Sequence, residues 1–140
     1  MIIRQLSVFL ENKTGRLTEI TGILAEHGID ISAFSIADST DFGILRMITS
    51  DPGLAETVLK AQGFAVKITD VACLVVPHVP GGLHKALRLL SEHGVAIDYM
   101  YAYATGDNAV VVIRADSLEK MIRVLEEHGE KFLEPGGDNP

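Results

Sequence analysis

Apolar and polar residues alternate with two periods along the chain, and each change of period marks an element. Residues 5–10 (Gln-Leu-Ser-Val-Phe-Leu) read as a strand, and Glu11-Asn12-Lys13-Thr14-Gly15 is a polar break before a helix. Leu17, Ile20, Ile23, Leu24 and His27 then recur at helical spacing, and Gly28 suits a left-handed helix stop. Residues 29–37 and 43–49 have strand character, and the turn-rich Asp38-Ser39-Thr40-Asp41 between them predicts a hairpin. Asp51-Pro52 opens a second helix, with Asp51 as N-cap and Leu54, Val58 and Ala61 on one face. Gly63 ends it before a short strand over 64–68.

The same order then returns: a strand over 71–76, a turn over 78–81, a helix over 82–93, strands over 95–104 and 109–115, and a helix over 117–128. The likeness extends to the residues. Gly15-Arg16-Leu17 and Glu26-His27-Gly28-Ile29 overlie Gly81-Gly82-Leu83 and Glu92-His93-Gly94-Val95 at an offset of 66, without a gap. At that offset Asp41 meets Asp107, Val58-Leu59 meets Val124-Leu125 and Gly63 meets Gly129. A repeat of this length is one module duplicated, too long a period for a solenoid unit. The copies are taken as residues 1–69 and 70–134, with 135–140 as a flexible tail that has no apolar anchor.

The order β-α-β-β-α-β in each copy predicts an α+β, ferredoxin-like module: a four-stranded antiparallel sheet with both helices on one face. Such a sheet leaves one face bare and its edges open, so the two modules are expected to join side by side, with a site at their seam. Halves of about 70 residues are near the lower limit for folding alone.

Bulk properties then narrow the function. A formal charge of −7 with scattered Lys and Arg gives no footprint for nucleic acid. No apolar run nears the roughly 18 residues of a membrane span. The start, Met1-Ile2-Ile3-Arg4-Gln5, lacks the order of a signal peptide, and Cys73 alone allows no internal disulfide, so a soluble, cytoplasmic protein is expected.

Chemistry concentrates in the turn before each copy's first helix, Asn12-Lys13-Thr14-Gly15-Arg16-Leu17 and His78-Val79-Pro80-Gly81-Gly82-Leu83. A glycine there lets backbone approach a ligand, and the unpaired N–H groups of the first helical turn suit an anion such as a carboxylate. The structural alternative is a glycine that simply starts a helix tightly. A polar or Pro-containing turn, Gly, one residue, Leu, and an apolar helix ending in Gly-Ile-Asp-Ile or Gly-Val-Ala-Ile resembles the ACT domain, over roughly 3–69 and 70–134. The resemblance implies the ferredoxin-like fold and modules that pair to bind a small effector, usually an amino acid, at their interface. By position it implies ligand contacts at Asn12, Thr14, Gly15, Arg16 and Leu17 with Asp30 and Ile31, and at His78, Pro80, Gly81, Gly82 and Leu83 with Ala96 and Ile97. Asn12 and Asp30 can meet an α-ammonium group, whereas Ala96 offers only backbone, so one good site per chain is expected. Asp30 can equally be a solvated loop carboxylate.

Other residues are read more plainly. His27, His93 and His128 end helices, where the dipole favours a cation. His78 lies in the second ligand-side turn beside His84, but no Cys, Asp or Glu completes a ligand set, so neither metal nor cofactor is expected. Tyr99, Tyr101 and Tyr103 share one strand face and are read as packing residues that can also wall the pocket, with Met100, Ala102 and Ala104 on the other. Cys73, in an apolar strand, reads as an inert core thiol. No nucleophile elbow or phosphate loop occurs, so no active site is expected. The expected partners are a free amino acid, a metabolic enzyme and a second copy of the chain. The alternatives are a non-catalytic regulatory subunit that assembles with an enzyme without binding an amino acid, a small enzyme using Asp30 or His78, and an RNA-binding sheet.

Overall fold

A computed structural model describes residues 1–38 and 41–135, so Ser39 and Thr40 of the predicted hairpin turn and most of the predicted tail lie outside the described residues. The elements run β1 (Ile2–Glu11), α1 (Arg16–Glu26), β2 (Ile31–Asp38), β3 (Phe42–Thr49), α2 (Pro52–Ala61), β4 (Ala65–Pro77), α3 (Gly82–Glu92), β5 (Ile97–Thr105), β6 (Asn108–Ala115), α4 (Leu118–Glu127) and β7 (Lys131–Phe132). They form two compact units, one of Arg4–Thr69 and one of Asp70 onward together with Met1–Ile3.

In the unit of Arg4–Thr69 the strand order is β2-β3-β1-β4. β1 pairs antiparallel with β3 from Leu6↔Met47 to Glu11↔Phe42, and β2 pairs with β3 through Phe34↔Met47, with an irregularity between Ile31 and Ala33. This register puts Leu6, Val8 and Leu10 of β1 on one face with Leu45 and Met47 of β3. There they meet Ile20 and Leu24 of α1 and Ala55 and Leu59 of α2 in a single core. Each fully buried aliphatic side chain contributes roughly 1.5–3 kcal/mol. The α2 face differs from the one its sequence predicts. Ala55 and Leu59 are fully buried and Val58 packs beside them, but Leu54 is 39% exposed and Ala61 is exposed. Leu54 and Leu59 lie about 140° apart around a helix, so one must leave the core, and small Ala55 lets α2 approach closely beside Leu59.

β4 also differs from what its sequence predicts. The sequence predicts two strands, over 64–68 and 71–76, but the chain runs unbroken from Ala65 to Pro77. Thr69 and Asp70 are flanked by Ile68 and Val71, with no Gly or Pro to break the strand, and one Asp between β-branched residues does not stop it.

The unit from Asp70 has the order β7-β4-β6-β5. β4 pairs with β6 from Ala72↔Ile113 to Pro77↔Asn108, and β5 pairs with β6 through Met100↔Ile113 and Ala102↔Val111. Its core joins Leu74, Val76, Val111 and Ile113 to Ala86 and Leu90 of α3 and Met121 and Leu125 of α4. The closing strand β7 is only two residues long, and Leu133 N–H adds one bond to the Cys73 carbonyl at 2.8 Å. Tyr99, Tyr101 and Tyr103 are half-buried on the opposite sheet face, level with Arg114, Val112 and Val110. On the neighbouring strand Arg114 stands opposite Tyr99, its guanidinium donating to the Asp70 carbonyl at 2.8 Å.

Candidate functional site

Of the four helices described, two are capped by side chains and two are not. Asp51 Oδ1 accepts from Leu54 N at 3.0 Å before α2, and Ser117 Oγ accepts from Lys120 N at 3.3 Å before α4. Before α1 and α3 the N-cap is Gly15 or Gly81, which offers no side chain and holds φ at +92° or +86°. Arg16 N donates to the Lys13 carbonyl and Glu19 N to the Gly15 carbonyl, but among the described residues no acceptor meets the N–H groups of Leu17 and Thr18. The same holds in α3, where Gly82 and Lys85 are bonded and Leu83 and His84 are not. The uncapped helix ends are those of the two motif turns, and each presents two free donors at the positive end of a helix dipole.

In the first turn Asn12 is tied to the hairpin: its Nδ2 donates to Asp38 Oδ1 at 2.8 Å and lies 3.5 Å from the Phe42 carbonyl, and its backbone N–H donates to the Asp41 carbonyl. Thr14 is exposed, Arg16 pairs with Glu19 at 3.0 Å, and Leu17 is 39% exposed. Lys13 pairs with Glu11 at 2.7 Å, which holds the Glu11 carboxyl below its ordinary value, by hydrogen bond first and charge second.

In the second turn His78 N–H donates to the Asp107 carbonyl, Pro80 is exposed, and Leu83 packs against the core of its unit. His78 and Leu83 line a cleft of about 310 Å³ with Val79 and Tyr103, whose hydroxyl burial pushes above its ordinary value. Gly82 is fixed by a close approach, because a Cβ there would overlap the Pro77 carbonyl oxygen.

Asp30 and Ile31 sit at the far end of α1 from Gly15, a helix of 11 residues and about 16 Å. Asp30 Oδ1 accepts from Ile31 N at 3.0 Å, its own N–H donates to Ser50 Oγ at 2.9 Å, and Ile31 packs against the core. At the offset of 66, Ala96 N donates to Asp116 Oδ1 at 3.2 Å in the same arrangement, and Ile97 packs likewise. Within one unit, therefore, the turn residues Asn12 to Leu17 are together, and Asp30 and Ile31 are not with them.

A feature the motif reading missed lies beside the first turn. A cleft of about 410 Å³ is lined by Phe9, Leu10 and Glu11 at the end of β1, Arg16 and Glu19 of α1, Phe42 of β3, and the Gln62-Gly63-Phe64-Ala65 turn. The signal available in the sequence was the repeat itself, since Phe9, Phe42 and Phe64 fall on Val75, Asn108 and Glu130 in the second copy.

His27, His93 and His128 each place Nδ1 2.8–2.9 Å from the carbonyl four residues back, the helix-end role expected of them. Among the described residues no three of His, Cys, Asp and Glu are grouped as a metal ion would need. Cys73 is buried, and burial pushes its thiol up to about 12 against a smaller lowering by the chain's N-terminal ammonium. Among the described residues no helix is long and apolar enough to cross a membrane.

The model of the ACT domain pair matches residues 1–136. The chain belongs to that family. The ACT pair is similar to the protein BT0572 from Bacteroides thetaiotaomicron, at 52% identity over 95% of this chain and 92% of that one, with a TM-score of 0.92. Its fold is also that of the regulatory subunit of aspartate kinase from Thermus thermophilus, at 17% identity over 91% and 93% of the two chains and a TM-score of 0.66. The corresponding subunit from Thermus flavus gives 16%, 91%, 94% and 0.64. No curated protein matches the chain.

Proposed function

We propose that this ACT pair is a non-catalytic regulatory protein that binds a free amino acid where ACT modules meet and signals its level by changing how it engages a metabolic enzyme. The uncapped first turn of α1 is the observation that carries this reading. Its free Leu17 and Thr18 donors await an anion, and an α-carboxylate there gains hydrogen bonds plus a dipole contribution of about 1 kcal/mol. Asn12 offers its side chain to the ligand from the same turn, and Asp30 does so from a neighbouring module. Binding regulates only through a difference in affinity between two states of the protein or its partner.

The test is a thermal-shift screen of the full chain against the twenty amino acids. A ligand at about 100 times its Kd adds roughly 2.7 kcal/mol and raises the midpoint by several degrees. One amino acid or a related group should do so, and Asn12→Ala or Asp30→Ala should weaken it. No response to any of the twenty overturns ligand sensing and leaves a regulatory subunit that works by assembly alone.

A further inference from the structure

We infer that a second copy of this chain completes the site: β2 of one copy pairs antiparallel with β2 of the other about Ser35, which brings Asp30 of each copy to the Asn12 turn of the other. The inference rests on the amino-acid-binding reading above and says which module supplies Asp30. Within one copy Asp30 is out of reach, because it lies at the opposite end of α1 from Gly15, about 16 Å away. Among the described residues β2 ends the strand order of its unit and pairs with β3 alone, so its outer N–H and C=O groups form an edge. Edges are normally blunted by charge, proline or a bulge. Between Ala33 and Ala37 this one has neither charge nor proline, and its irregularity lies before Ala33. Phe34 and Ile36 stand level with the buried Met47 and Leu45 on the helix side of the sheet, yet they are 66% and 46% exposed.

The strand is its own complement. Ala33-Phe34-Ser35-Ile36-Ala37 alternates small and large residues symmetrically about Ser35. Paired with itself around a two-fold axis there, it sets Phe34 against Ile36 of the second copy on one face, and Ala33 against Ala37 and Ser35 against Ser35 on the other. Asp38, the only charge of β2, then opposes Ser32, so no like charges meet directly. Asp30 lies two residues before Ser32 and so comes beside Asp38 of the second copy, the residue whose Oδ1 holds Asn12 Nδ2 at 2.8 Å. The same pairing thus buries the exposed edge and joins Asp30 to the Asn12 turn, twice per dimer. The corresponding edge of the other unit is poorer, because at the offset of 66 Phe34 and Ile36 become Met100, 39% exposed, and the small Ala102.

Sedimentation of the full chain at micromolar concentration should give twice the protomer mass. Phe34→Lys and Ile36→Lys, both at exposed positions, should each give a monomer with unchanged circular dichroism, and Met100→Lys should remain a dimer. Ser35→Cys should cross-link the copies on mild oxidation, because opposed strand residues have Cα atoms about 4.5–5.5 Å apart, within the span of a disulfide. Ala37→Cys should not, and the buried Cys73 takes no part. The shared site has its own test, a calorimetric titration with whichever of the twenty amino acids shifts the wild-type melting temperature. Asn12→Ala and Asp30→Ala should each weaken binding, and their mixture, after exchange of copies, should regain wild-type affinity at one site of each mixed dimer. A monomer, or a dimer that survives both lysine substitutions, overturns the β2 joint and leaves the sensor reading intact. A β2 dimer whose mixed variants regain nothing overturns the shared site. A β2 dimer that responds to none of the twenty amino acids overturns the sensor reading, and the shared site with it, while the joint stands.

Discussion

Three glycines in the two motif turns are required for different reasons. Gly15 and Gly81 have positive φ and no atom within 4 Å of an added Cβ, so alanine there meets only backbone strain. Gly15→Ala and Gly81→Ala should each cost about 1–2 kcal/mol in urea unfolding. Gly82 has ordinary φ, but its Cβ would overlap a carbonyl that cannot turn aside, so Gly82→Ala should cost more than Gly81→Ala. The glycines were conspicuous in the sequence, whereas that distinction depends on where β4 ends and could not be read there. Cys73 gives a residue-scale test of another kind. Its folded pKa of about 12 lies above the ordinary value of 9.0, so below pH 9 both folded and unfolded chains keep the proton and stability is unaffected. Between about pH 9 and 12 the unfolded chain ionises first, so stability should fall with rising pH. Iodoacetamide at pH 8 should leave the native thiol unmodified and alkylate it in urea, and rapid native alkylation would show that the strand opens.

At the scale of elements, the disputed face of α2 is the sharpest check. Leu59→Ala removes a fully buried side chain and should cost about 2–5 kcal/mol, whereas Leu54→Ala at a 39% exposed position should cost less than about 1 kcal/mol. Equal costs would mean that α2 packs on the face its apolar spacing first suggested. Every helix was legible because its limits are chemical: Asp51 and Ser117 cap, Pro52 starts, and Gly28, Gly63, Gly94 and Gly129 stop. The helix faces were less legible, because Leu54 and Leu59 compete and only the partner sheet decides between them. Strand limits were least legible: Thr69-Asp70 offers no breaker, so β4 is continuous where two strands were expected, and β7 has only Lys131–Phe132 to mark it. The candidate site divides similarly. The turn at Asn12 to Leu17 was visible as a motif, but the cleft beside it gathers Phe9, Phe42 and Phe64 from three separated segments, and no local pattern announces such a convergence.

For the molecule as a whole, duplication supplies two folds but does not copy every side chain of the motif turns. The local scaffolding is copied closely: Asp30 with Ser50 and Ala96 with Asp116 make the same paired bonds at the start of β2 and of β5, and both motif helices lack side-chain caps. The groups that would recognise a ligand are not copied. Arg16 is replaced by Gly82, where no side chain fits beside the Pro77 carbonyl, and the apolar wall at Phe64 is replaced by the ion pair of Glu130 with Lys85. An uncapped helix end alone contributes only about 1 kcal/mol to an anion, too little to hold a free amino acid without side-chain partners. Calorimetric titration with the amino acid that raises the melting temperature should therefore give one ligand per chain. Arg16→Gln should then lower the affinity of that single event, whereas Lys85→Gln, which leaves the first copy untouched, should not change it. A stoichiometry of two with equal affinities would mean that recognition rests on the glycine turn common to both copies, because that turn is the part of the candidate site the duplication preserved.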